Sequence, residues 1–122
     1  MKLGTTFKYT ASDNVPVTLQ VLQHKSTGSA EAVDVRLCNL SNVAIDATRR
    51  PWVLLYNGGD SEHNIDISGG GLPAPAYPRS FDPKTLTPGK CVQGWINYSL
   101  IAGKKPYGIA YNNEGNRLVW KF

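Results

Sequence analysis

The sequence predicts an antiparallel all-β sandwich of seven to eight short strands, and three observations carry that expectation. The 12 glycines and 8 prolines among 122 residues fall between apolar runs rather than in one tail. That spacing suits short strands joined by turns every 8–12 residues. No window sustains a 3.6-residue apolar period, so no helix is expected. The final third, TLTPGKCVQGWINYSLIAGKKPYGIAYNNEGNRLVWKF, reads as three strands in succession. A chain of 122 residues forms one domain over 1–122 and buries a core without metal help.

Taken in order, residues 5–9 form a short edge strand. Residues 15–23 alternate, with Val15, Val17, Leu19 and Val21 on one face, and Pro16 places the start near a sheet edge. KSTGSAE at 25–31 is a turn. Residues 31–38 alternate most clearly, with Val33, Val35 and Leu37 inward. After a turn at 39–42, a short strand is expected at 43–48 and an apolar strand with Trp52 at 51–56. NGGD at 57–60 turns the chain so that 63–67 pairs back as a hairpin. Residues 68–83 are Gly/Pro-rich and too long for a tight turn, leaving a mobile loop or an edge-hugging extended segment. The Pro88–Gly89 turn then opens a strand over 91–100, a second follows at 107–111, and the loop 112–116 returns into 117–122. Ile96, Tyr98, Ile109 and Val119 are expected in the core. At 118–120, either Leu118 and Trp120 or Val119 faces inward.

The net charge of +4 is scattered, with adjacent basic pairs only at Arg49–Arg50 and Lys104–Lys105, so no nucleic-acid partner is expected. No apolar stretch reaches the ~18 residues of a membrane span. The first residues, MKLGTTFKYTASDNVP, lack the apolar centre of a signal peptide.

Cys38 and Cys91 lie 53 positions apart and suit buried thiols, a metal pair or a disulfide. Metal is the weakest reading, since His24 and His63 lack zinc-ligand spacing. Strand parity puts both cysteines on the solvent side, one at a strand end and the other at a strand start. Antiparallel pairing brings those ends together and favours a disulfide, with Leu37 facing Val92 and Arg36 facing Gln93. A stable disulfide implies an oxidising compartment, so a secreted or cell-surface location is expected.

The residues VDVRLCN at 33–39, the Pro51–Trp52 pair, LTPGKCVQGWINY at 86–98 and AYNNEGNRLVWKF at 110–122 resemble a family of secreted bacterial immunoglobulin-like domains. Its members include actinobacterial lipoproteins of unknown function and a small secreted mycobacterial immunogenic protein. The resemblance runs from about Val15 onward. It implies an immunoglobulin-like β-sandwich and an extracytoplasmic location, and it transfers no active site. A lipid anchor, if the precursor carries one, would come from a lipobox cysteine that is not among these residues.

Catalytic signatures are sparse. His24 and His63 have no adjacent nucleophile motif and read as surface histidines. Asp60, Glu62 and Asp66 lack EF-hand spacing and read as an acidic turn, with calcium left open. SGGG at 68–71 precedes LPAPAYP rather than a helix, so no phosphate cradle forms. No enzyme activity, cofactor or metal is expected. The aromatics are the remaining signal: Trp95 points outward beside Gln93 and Asn97, Tyr77 and Phe81 lie in the long loop, and Tyr107 follows Lys104–Lys105. Exposed aromatics beside amides stack on sugars or anchor protein interfaces, unless the long loop simply covers Trp95. The expected function is a non-enzymatic binding module for a protein partner, with a carbohydrate or cell-wall ligand as the alternative. A protease-inhibitor loop at 68–83 is a third reading.

Overall fold

The computed structural model describes residues 1–57, 62–63 and 73–122. Among them it contains ten strands: β1 (Thr6–Thr10), β2 (Pro16–Thr27), β3 (Ala30–Asn39), β4 (Ile45–Ala47), β5 (Trp52–Tyr56), β6 (Glu62–His63), β7 (Lys84–Leu86), β8 (Cys91–Ser99), β9 (Pro106–Asn113) and β10 (Asn116–Lys121). The fold is all-β, with no helix among the described residues. One four-stranded sheet has the order β1-β2-β3-β8, a second has β10-β9-β5-β6, and β4 pairs with β7. Every strand pairing within these sheets is antiparallel.

Turn chemistry corrects two sequence boundaries. Residues 25–31 are not a loop: β2 and β3 continue until Thr27 opposes Ala30, leaving Gly28 and Ser29 as the whole turn. Gly28 takes φ 60°, a value glycine reaches without a Cβ penalty. Likewise Asn113 opposes Asn116, so Glu114 and Gly115, with φ 52° and 80°, make a two-residue hairpin turn. Two positive φ values in succession match the twist of the flanking strands. A register shift between Val21 and Gln23 on β2 puts a bulge in the long hairpin.

The two large sheets share one apolar core. Val17, Leu19, Val21, Val33, Val35, Leu37, Ile96, Tyr98 and Ile109 are all buried, as their alternation requires. Val119 is the exception and is only half-buried. Trp120 is fully buried instead, because its indole N–H finds the Thr5 carbonyl at 2.9 Å. Trp52 is also buried, and its carbonyl accepts from the Tyr98 hydroxyl at 3.0 Å, joining one sheet to the other.

Cys38 and Cys91 form a disulfide between directly opposed positions of β3 and β8. Leu37 faces Val92 and Arg36 faces Gln93, the register expected from parity. Closing a loop of this length contributes ~4 kcal/mol in the chain-entropy model. Beside the bridge, buried Asn39 organises the chain leaving β3. Its amide nitrogen donates to Val43 O at 2.8 Å and Leu86 O at 3.0 Å, while its oxygen accepts from the Ser41 N–H and hydroxyl. No helix among the described residues is long and apolar enough to cross a membrane.

Candidate functional site

The long β2–β3 hairpin carries polar side chains past the apolar core while keeping them on its inner face. Ser26 opposes Glu31 and His24 opposes Val33, and across the other edge of β3 Glu31 opposes Tyr98. Glu31 therefore shares the parity of Val33, Val35 and Leu37, and its exposure is only 1%. A buried carboxylate is costly unless its oxygens are satisfied. Here Oε1 meets His24 Nδ1 at 3.0 Å and Oε2 accepts from the Ser26 hydroxyl at 2.7 Å.

His24 is fixed a second time by stacking. Its ring lies on Phe122 with centroids 4.0 Å apart and planes 7° from parallel. Pro106 and Tyr107 of β9, Lys105 before them and Asn57 after β5 complete the lining. The Tyr107 main chain is held by its carbonyl, which accepts from the Phe122 N–H at 2.9 Å. Together these residues enclose a cleft of about 450 Å³ at one end of the two sheets. That lies within the ~300–1,000 Å³ range of small-ligand sites.

The bonding pattern limits the chemistry. Glu31 stands between Ser26 and His24, so the serine proton is directed to the carboxylate and not to the imidazole. A hydrolytic triad needs the base on the nucleophile and the acid behind the base; this arrangement is different. What the cleft offers is a set of side chains held by one another, with Lys105, Tyr107 and Asn57 at its mouth.

The residues singled out from the sequence are not brought together. Tyr107 lines the cleft. Trp95 is half-buried on β8, where its N–H donates to Pro75 O and its carbonyl accepts from Tyr77 N–H, each at 2.9 Å. Residues 75–77 therefore run along the free edge of β8, the edge-hugging course rather than a projecting loop. Tyr77 is a correction: it is buried in the core and presents no surface for binding. Burial pushes its hydroxyl well above the ordinary phenol value, against a smaller opposite effect from the Trp52 side chain. Gly94 makes room for this segment, since a Cβ there would lie 2.6 Å from Tyr77 N. Buried Arg49 fastens it from the other side, donating to the carbonyls of Tyr77 and Pro78. Phe81 is 76% exposed, with the Arg79 guanidinium 5.9 Å from its ring centre. Residues 68–72 lie outside the described residues, as do Asp60, Asp66 and the side chains of Glu62 and His63.

His24 and Glu31 were not legible as a pair, because a turn over 25–31 would have separated them from the sheet. The available signal was Glu31 itself, an acid on the parity that Val33, Val35 and Leu37 turn to the core.

No family model matches the chain, and no curated protein matches it. Among solved structures it is similar to the crystal structure of the yjhA protein from Bacillus subtilis. Identity is 18%, the TM-score is 0.69, and the match covers 99% of this chain and 98% of that one. At that identity the likeness speaks to the fold alone.

Proposed function

We propose that this chain is a secreted or cell-surface binding module of immunoglobulin-like fold, without catalytic activity, that recognises a protein partner through the Glu31–His24–Tyr107 cleft. The observation that carries this reading is the mutual fixing of the Glu31, Ser26, His24 and Phe122 side chains that line the cleft. Side chains already held in place lose little freedom when a partner docks.

The fold part of the reading is supported by strand order. Immunoglobulin domains set strands A, B, E and D on one sheet and C, F and G on the other. Here β2, β3 and β8 stand as A, B and E, while β5, β9 and β10 stand as C, F and G. Buried Trp52 on β5 is consistent with the buried tryptophan that such domains carry on strand C. There are two departures: β7, in the place of D, pairs with β4, and the disulfide joins neighbouring strands of one sheet rather than crossing between sheets. The location rests on that disulfide.

A carbohydrate ligand is the second reading, favoured by Tyr107 and Asn57 at one rim. Capture from culture supernatant with wild type and with a Lys105→Ala/Tyr107→Ala variant, beside a glycan array, separates the two. A protein retained by wild type and lost in the variant supports the proposal. A glycan bound in the same cleft moves the assignment to sugars. Turnover of an ester or glycoside that disappears in His24→Ala overturns the non-catalytic reading.

A further inference from the structure

At the other end of the same strands a second cavity, of about 230 Å³, opens between the sheets. Tyr9 of β1 and Tyr111 of β9 stand in it edge to face, with ring centres 6.3 Å apart at 64°. Val17 and Leu37 contribute apolar surface, and Asp13 and Asp46 stand at its wall. We propose that this pocket binds an organic ammonium group, the carbon-clad cation of a quaternary amine or an alkylamine.

Charge is the first argument. The chain carries a net +4, yet no lysine, arginine or histidine is among the described residues lining this cavity. Its charged groups are both carboxylates. The Thr85 hydroxyl donates to Asp46 Oδ1 at 2.8 Å, which holds that side chain at the rim of β4.

Ring chemistry is the second. Aromatic faces attract cations through their quadrupole, most strongly where water is thinned out. The Tyr9 hydroxyl accepts from the Asn116 amide at 3.3 Å, which fixes its ring. Burial, with a smaller contribution from Tyr9, pushes the Tyr111 hydroxyl up to about 12, so it remains a neutral phenol at physiological pH.

Size and lining select among cations. A bare calcium ion wants six to eight oxygens, and no group of three or more His, Cys, Asp or Glu that could hold a metal occurs among the described residues. Alkyl carbon on the ligand is what Val17, Leu37 and the tyrosine rings can cover. The cavity is below the ~300 Å³ lower end for drug-sized ligands, which suits a headgroup rather than a large molecule.

The test is an NMR titration of the intact protein with tetramethylammonium, with butylammonium, and with neopentyl alcohol as an uncharged branched control. Saturable shifts at Tyr9, Tyr111 and Val17 with at least one cation, and none with the alcohol, are expected. Asp13→Asn/Asp46→Asn changes exposed residues, so its spectrum should remain folded while affinity falls about tenfold. Tyr9→Leu, which keeps both carboxylates, should weaken binding by a similar factor. Tighter binding of tetramethylammonium identifies a quaternary headgroup as the source of the cation, and tighter butylammonium a lysine side chain. Equal binding of the alcohol, an unchanged affinity in the aspartate variant, or no saturable shift with either cation overturns the proposal.

Discussion

The two ends of the space between the sheets are both lined from β2, β3 and β9, yet they carry opposite chemistry. At one end Glu31 has both oxygens engaged by its neighbours, and Lys105 at the rim brings hydrogen-bond donors. At the other, Tyr9 and Tyr111 stand beside two carboxylates, with no cation among the described lining residues. Val17 and Ser26 mark the two ends on β2, about 30 Å apart along an extended strand. The core between them is mainly aliphatic and aromatic, with the Tyr98 hydroxyl turned to the Trp52 carbonyl. Polar chemistry thus enters where strands outrun the core, at the few inward positions that no longer need to be apolar.

The largest expected effect tests whether the ends are held independently. Cys38 sits one position from Leu37, at the tyrosine–aspartate end. Cys38→Ser/Cys91→Ser should lower stability by about 4 kcal/mol in chemical denaturation. Amide exchange should quicken around Leu37 and Val92 before it does around Glu31 and Tyr98. Uniform acceleration would mean that the ends open together.

Removing the buried acid should come next. Glu31→Ala leaves His24 and Ser26 without their shared acceptor and should cost about 3 kcal/mol. Asp13→Ala, on an exposed residue at the other end, should stay within about 0.5 kcal/mol. Urea melts of both variants would decide whether the two acids differ as their burial indicates.

Alkaline pH probes the opposite end. Folded Tyr111 keeps its proton up to about pH 12, whereas the ordinary phenol loses it near 10.0. Between those values the unfolded chain binds fewer protons than the folded one, so stability is complete below about pH 10 and falls as pH rises toward 12. The loss from this group should be about 3 kcal/mol. Tyr111→Phe should flatten the profile, leaving the part due to Tyr77, whose shift has the same sign. An unchanged slope would mean that the ring is better solvated than its packing suggests.

The smallest effect concerns the stack. Phe122→Ala should cost about 1 kcal/mol and release the His24 ring, visible as sharpened and shifted imidazole resonances. Partner binding at the cleft should weaken even though Glu31 keeps its bonds.

Strand alternation was readable wherever apolar and polar residues simply took turns. Val33, Val35 and Leu37 fixed a parity from which the cysteine register followed. The reading failed where composition and register disagreed. KSTGSAE is rich in turn formers, but only Gly28 needs a left-handed backbone, so the turn shrinks to two residues and the flanking polar positions join the sheet. Tyr77 looked like a loop aromatic because nothing local marks the vacancy above Gly94 that its backbone fills. Trp120 over Val119 was decided by a carbonyl 115 positions away, at Thr5. These are long-range facts, and local pattern does not carry them.

The bridge between Cys38 and Cys91 also turns the intervening chain into a covalent ring. Strands β4 to β7 lie inside that ring, among them β5 with Trp52. A protease that cuts one peptide bond there opens the ring but separates no fragments, so the pieces stay covalently joined until a reductant is added. Refolding after such a cut stays unimolecular, because the tether holds the pieces at high effective concentration. A backbone break in this half of the molecule therefore need not end its working life.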